Sequence, residues 1–362
     1  MSYDYIIVGA GIFGATYAQQ LHEAGKTCLV IDRRTHIAGN CYTEDHDGID
    51  VHMYGPHLFH TSNERICKYV NRFAQFNGYR HTVQTTLTDD SVVSMPISLL
   101  TLNQLFNITT PKEAQAYFHK VRRPETTGND VESWCLRNIG RELYELLIKG
   151  YTQKQWNTDP NLLPESIIKR LPLRMTYDNG YFNDTYQGIP IGGYTAMIDR
   201  MLAGIPVMLG VDFLRDQDIL RGMAKKVVYS GSPDELFGYD LGRLPYRSIR
   251  LEHIYHDIPD YQGTGQMNYA SMNVHWTRIT ESKHFTKVKT DHTIISVERS
   301  VSNGEPYYPI NEASNDMLAR RYIRRAEDEG YIIGGRMGTY RYLDMHQAVG
   351  MALSMAEKEL KQ

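Results

Sequence analysis

Cysteine is scarce in this chain: four residues in 362, at positions 28, 41, 67 and 135, with no Cys-x-x-Cys pair. That excludes a disulfide-stapled scaffold and zinc-ribbon spacing, and it fits buried, reduced thiols and a cytoplasmic protein. No run of 18 apolar residues occurs, so no membrane-spanning helix is expected. No basic n-region with an apolar h-region opens the sequence, so no secretory leader is expected. Neither sign of charge dominates: 39 Lys and Arg against 42 Asp and Glu leave −3 at neutral pH. Neither nucleic acid nor a membrane surface is therefore an expected partner, and any basic site must be local. A Gly-x-Ser-x-Gly elbow and an HExxH helix are also missing, which leaves hydrolytic serine or zinc chemistry without support. His57 and His60 lie three apart, but no clustered acid accompanies them, so no metal is expected.

What is present begins at once. An apolar strand, Tyr5-Ile6-Ile7-Val8, runs into Gly9-Ala10-Gly11-Ile12-Phe13-Gly14, then a helical pattern, then Cys28-Leu29-Val30-Ile31 ending in Asp32 and Arg33. This is the strand, glycine turn, helix, strand and acid of a dinucleotide site. Gly9 allows the tight turn, Gly11 the close approach of a pyrophosphate, and Gly14 the packing of helix on strand. The helix N-terminus, around Phe13, offers unpaired N–H groups to phosphate, and Asp32 is spaced to reach a ribose hydroxyl.

The rest divides by pattern. Val83 to Thr86 and Val92 to Met95 alternate around Asp89-Asp90 as a hairpin, and residues 245–300 alternate as an antiparallel sheet. Residues 101–150 read as helices, one starting at Pro111 and one running from Gly140 to a stop at Gly150. Residues 49–62 are too rich in His and Gly for a plain strand. Tyr331-Ile332-Ile333 returns to strand before a closing helix from Met345. The expected fold class is α/β, with a discontinuous Rossmann-like domain, a small helical domain and an antiparallel β-sheet domain. The expected bounds are 1–75, 186–240 and 316–362 for the dinucleotide domain, and 76–100 with 241–315 for the sheet domain. Residues 101–160 form the helical domain, followed by a mobile loop to about 185.

Tyrosine is abundant, 26 residues against 10 phenylalanines, and several stand beside arginines in predicted loops. Arg170 ends a predicted helix, Arg247 follows Tyr246, Arg278 follows Trp276-Thr277, and Tyr307-Tyr308-Pro309 and Tyr340-Arg341-Tyr342 sit in predicted loops. Guanidinium forks with phenol donors suit a diphosphate, and aromatic faces suit a base.

Longer segments make the pattern specific. Tyr54-Gly55-Pro56-His57-Leu58-Phe59-His60-Thr61, Lys149-Gly150-Tyr151-Thr152-Gln153-Lys154-Gln155-Trp156, Gln187-Gly188-Ile189-Pro190 and Gly338-Thr339-Tyr340-Arg341-Tyr342-Leu343-Asp344-Met345-His346 resemble the bacterial UDP-galactopyranose mutases. So does the glycine turn with His36-Ile37-Ala38-Gly39-Asn40, and the similarity runs in order from residue 3 to about 356. The resemblance implies FAD, active in its reduced form. It also implies ring contraction of UDP-galactopyranose to UDP-galactofuranose through a covalent flavin N5–sugar adduct, without net redox.

Carried over position by position, Arg170 and Arg278 clamp the diphosphate, with Tyr181, Tyr307, Tyr308 and Tyr342 as donors. Tyr151 stacks on uracil and Trp156 lies by the sugar. Asn268, His81 and Trp276 sit toward the substrate. His57, Tyr54 and Arg247 lie near the flavin, with Gly39, Asn40, Arg33, Gly335, Arg336, Tyr342, Asp344 and Met345 completing its site. The resemblance further implies an external flavin reductant such as NAD(P)H, and a homodimer.

The sequence departs from the family pattern at His81 (usually Asn), Ser98 (Asn), His275-Trp276 (Pro-Tyr), Asn157 (Gly), Ala38 (Gly) and Cys67 (Trp). These changes favour a second reading, the same chemistry on a 6-deoxyhexose, an N-acetylhexosamine or a pentose. A third is an amine oxidase-like flavoenzyme that shares the dinucleotide domain.

Overall fold

The computed structural model describes residues 2–169, 171–310 and 312–361. Tyr3–Val8 is the middle strand of a five-stranded sheet in the order Tyr331–Ile333, Ala224–Tyr229, Tyr3–Val8, Cys28–Asp32, Val207–Leu209, every pair parallel. Segments from the start, middle and end of the chain thus meet in one sheet. The inner parts of its strands, Tyr5–Val8, Cys28–Ile31 and Val227–Tyr229, are apolar runs because both faces are covered there. Ile7 and Val30 pack under the helices Ile12–Glu23 and Met345–Glu359, while Ile6, Leu29 and Ile31 pack with Phe213 and Leu220 on the other face. Ala15, Ala18, Ala352 and Ala356 are all buried between sheet and helices, where small side chains permit a close approach.

A second sheet has seven strands: Tyr308–Pro309, Tyr246–His256, Thr293–Val301, Arg278–Glu281, Gln266–Tyr269, Val83–Thr86 and Val92–Met95. The predicted hairpin forms, Val83 opposite Met95. The sheet is not wholly antiparallel, because Val83–Thr86 runs parallel to Gln266–Tyr269. A hairpin arriving from so far up the chain has no tight turn to dictate its direction against that strand.

Residues 49–62 resolve into two short strands, Ile49–His52 and Phe59–Thr61, on either side of a loop. Pro111–Val121 starts as predicted, with Pro at its head and Thr110 and Glu113 closing a capping box.

The expected stop at Gly150 does not occur. Arg141–Leu143 leads into π-helical Tyr144–Lys149 and on into Gly150–Trp156. Gly150 has ordinary helical angles, and a Cβ there would lie 2.1 Å from the carbonyl oxygen of Ala270. The glycine serves close packing rather than termination.

Candidate active site

Two clefts meet at His57. The first, about 260 Å³, follows the carboxyl ends of the parallel strands, where nucleotides bind in this architecture. The glycine turn forms its floor. Gly9 sits at φ +108°, and a Cβ on Gly14 would fall 1.9 Å from the Gly9 carbonyl oxygen, so helix and turn are in backbone contact. Gly39 closes against Gly11 in the same way, its Cβ position being 3.0 Å from the Gly11 Cα. Phe13 lies against the backbone of Gly334 and Gly335.

Asp32 lines this cleft, and its carboxylate also braces the turn. Oδ2 accepts from the Ala10 N–H at 2.8 Å and Oδ1 from the Arg34 N–H at 2.9 Å. Arg33 pairs with Glu235 across the end of the cleft at 3.5 Å, and Arg34 donates to Asn40 at 3.0 Å. Arg336 donates twice to the Leu343 carbonyl, at 3.0 and 2.6 Å, and its guanidinium stands 4.8 Å from the Tyr342 ring. Asp344 caps the helix that Met345 begins. A long cleft with an open helix N-terminus, a Gly14 contact that no Cβ could enter, a close Gly39–Gly11 approach and cations at intervals fits an extended dinucleotide.

The second cleft, about 130 Å³, faces the seven-stranded sheet and shares His57, Arg336 and Met345 with the first. Arg278 enters it from the first residue of its strand. Nε and Nη2 both donate to Oε2 of Glu298, at 2.8 and 2.6 Å. Burial opposes the Arg278 charge, but Glu298 more than restores it, and the guanidinium is held well above its usual pKa. Tyr308 and Tyr342 stack with ring centres 5.8 Å apart. Burial raises the Tyr308 phenol to about 12 and raises Tyr151 further, against the pull of Arg278 on both, so each remains a proton donor. Arg247 is 5% exposed, donates to Ser300 and Ser302 at 2.7 and 3.1 Å, and has no carboxylate partner among the described residues. Its Nε has no hydrogen-bond partner among the described residues, and although it pairs in register with Tyr308 it lines neither cleft, contrary to the expectation that it lies near the flavin.

Histidines form one wall. His57 Nδ1 faces the Gly55 carbonyl at 2.8 Å, which assigns the proton to Nδ1 and leaves Nε2 an acceptor. Burial, helped by Arg336, lowers its pKa to about 4. His60 bonds Asp184 at 2.6 Å and stacks on Phe182 at 3.7 Å, and the His81 ring lies 5.9 Å from that of Phe182. His81 is 3% exposed, with Nδ1 unpartnered and its pKa lowered to about 3, chiefly by burial. Arg174 holds the following loop by donating to the carbonyls of Gly180 and Phe182 and to Asn183.

Tyr181 and Tyr342 line the second cleft, and so does Tyr54, which was expected near the flavin. Tyr307 packs just behind, its ring 6.4 Å from Tyr54. Asn268 stands opposite Arg278 in register and accepts from Gln266 at 2.9 Å. Trp156 packs on the apolar core of the helical segment. Trp276 is not brought to the cleft. It lies ahead of the strand Arg278–Glu281, outside its alternation, and packs with Tyr269 against Ile279, Ile295 and Val297. Arg170 lies outside the described residues.

Glu298, Gln266 and Phe182 were missed from the sequence. Glu298 had a signal: a lone carboxylate after Ile294-Ile295-Ser296-Val297, in a strand otherwise suited to burial.

Residues 146–342 match the UDP-galactopyranose mutase family, and residues 7–73 match an NAD(P)-binding Rossmann-like domain. The chain is 43% identical to a probable UDP-galactopyranose mutase of Klebsiella pneumoniae, over 99% of this chain and 94% of that one. The chain belongs to the UDP-galactopyranose mutase family. The relatives that match it over nearly its full length are mutases, isomerases by reaction class, and their names differ in the sugar. A dTDP-fucopyranose mutase of Escherichia coli is 35% identical over 98% of both chains. The fold is that of a reduced UDP-galactopyranose mutase (TM-score 0.78, 14% identity, 100% of this chain and 94% of that one). A putrescine oxidase shares it more loosely (TM-score 0.57, 15% identity, the full length of both).

Of the departures from the family pattern, only His81 lines the second cleft. Ser98 caps the helix Leu99–Phe106. Asn157 takes a left-handed angle, φ +50°, that Asn tolerates nearly as well as Gly. Ala38 does the same at φ +71°, while Cys67 lies on the helix Glu64–Val70 and borders a separate surface groove.

Proposed function

We propose that this mutase binds FAD in the first cleft and interconverts UDP-galactopyranose and UDP-galactofuranose in the second. The supporting observation is the junction itself: a dinucleotide cleft opens at His57 onto a pocket holding Arg278, Tyr308 and Tyr342. When bound and reduced, the flavin supplies a nucleophilic ring nitrogen for the anomeric carbon and ends the cycle in the same redox state.

The chain's own groups handle the leaving and returning diphosphate. Arg278, fixed by Glu298, meets its negative charge, and the high phenol pKa values keep Tyr151 and Tyr308 protonated as donors. His57, neutral with Nε2 as acceptor, can take a hydrogen bond without adding positive charge. The loop that Arg174 holds, carrying Tyr181 and Phe182, covers the pocket and keeps water from the reacting carbon. The protein works in the cytoplasm as a homodimer, with its flavin kept reduced by NAD(P)H or an equivalent donor.

Incubating the dithionite-reduced protein with UDP-galactose and resolving products by chromatography tests this. Formation of the furanose supports it. Turnover only of a 6-deoxy, N-acetyl or pentose analogue moves the substrate to that sugar, a reading favoured by His81 and by the fucose-type relative. Peroxide formation from an amine, with no sugar product, refutes it.

A further inference from the structure

Lys154 takes no part in the chemistry above, yet its surroundings are unusual. It lies on the helix Gly150–Trp156, and its three N–H groups are shared among four backbone carbonyls within hydrogen-bond distance of Nζ: Ser271 at 2.7 Å, Tyr269 at 2.8 Å, Trp276 at 2.9 Å and Val274 at 3.3 Å. All four belong to the single loop between Asn268 and Arg278. No carboxylate faces the ammonium among the described residues, so its bonds are spent wholly on loop backbone. The same seam is tightened one turn earlier, where Gly150 abuts the Ala270 carbonyl.

We propose that Lys154 is a positioning residue, fixing the loop that delivers Arg278 to the helix that carries Tyr151. The two ends of the proposed nucleotide site come from different bodies: Arg278 from the sheet, Tyr151 from the helical segment. Beyond the Lys154 carbonyls, the loop is tied by Tyr269 N–H to Thr277 O, Ala270 N–H to Thr86 O and Thr277 N–H to Glu298 O, none of which reaches the helix. An ammonium bonded to several carbonyls resists displacement in every direction, whereas a neutral side chain there would leave those carbonyls unpaired against the helix. Both effects set the separation between Arg278 and Tyr151.

This inference rests on the nucleotide-sugar reading and is tested with UDP on the flavin-loaded full chain. Lys154→Met is expected to weaken UDP binding about tenfold, as the loss of a charge-assisted bond network would, and to raise KM more than it lowers kcat. Amide exchange should quicken across residues 269–277. Lys154→Arg, which keeps the charge, should restore most of the affinity. In an Arg278→Lys background Lys154→Met should cost little more, since both act on one contact. Gly150→Ala, which forces the seam apart without touching charge, should reproduce the KM effect.

Faster exchange with unchanged UDP affinity would overturn the proposal, as would fully additive losses in the double variant. A lowered melting temperature with wild-type affinity would also overturn it, leaving Lys154 merely structural. Failure of the wild-type protein to bind UDP would refute the nucleotide-sugar reading instead, and the exchange pattern would still report whether the seam depends on Lys154.

Discussion

Arg278 donates through two nitrogens to one oxygen of Glu298, a carboxylate whose side chain is 1% exposed. The pair fixes the guanidinium and leaves its Nη1 free of that carboxylate. Breaking a buried pair from one side strands the other charge, at about 3 kcal/mol or more. Glu298→Gln is therefore expected to lower the melting temperature and to reduce kcat/KM on the nucleotide sugar at least about tenfold. Wild-type kinetics with the variant would show that Arg278 needs no orienting partner.

His81 is the family departure that reaches the pocket, and its Nδ1 waits for a partner. A buried polar atom matched to one sugar group discriminates strongly against sugars lacking it. His81→Asn should shift the ratio of kcat/KM between UDP-galactose and its 6-deoxy or N-acetyl analogues by about tenfold or more. Equal changes on all sugars would assign His81 to packing alone.

Acid should destabilise the protein early. Burial holds His52, His57 and His81 at about 3, 4 and 3, against 6.5 for an unfolded histidine. Below pH 6.5 the unfolded chain takes up protons that the folded one refuses, so stability is full above that pH and falls as pH drops toward 4. Melting temperatures between pH 8 and 5 should show this fall, with a shallower one in His81→Asn. A flat profile would contradict the buried neutral assignment.

The glycine turn can be tested without assaying turnover. A Cβ on Gly14 has no space beside the Gly9 carbonyl. Gly14→Ala should push the helix from the strand and reduce the flavin retained per protein, read from visible absorbance after purification. Full flavin content would mean that this contact does not shape the cleft.

Local patterns were legible where one element decides its own structure. The glycine turn, the hairpin around Asp89-Asp90 and the capped helix at Pro111 all follow from neighbouring residues. Gly150 misled because a glycine that ends a helix and one that admits another backbone look alike in sequence. Trp276 misled because it lies just ahead of its strand, where the two-residue alternation that would set it beside Arg278 does not hold. Glu298 and Lys154 support the site from the far side of their partners, so their meaning appears only when sheet and helix are docked. The family resemblance named Arg278, Tyr308 and His57, which the fold gathers in one cleft, but it gave equal weight to six departures, and the fold directs only His81 to that cleft.

The most direct test of the central claim is product analysis of UDP-galactose with the protein whose flavin has been reduced beforehand, under anaerobic conditions. The account predicts that UDP-galactofuranose accumulates to equilibrium while the flavin spectrum stays that of the reduced form. Oxidation of the flavin in step with product, or no furanose from any nucleotide sugar, would contradict it.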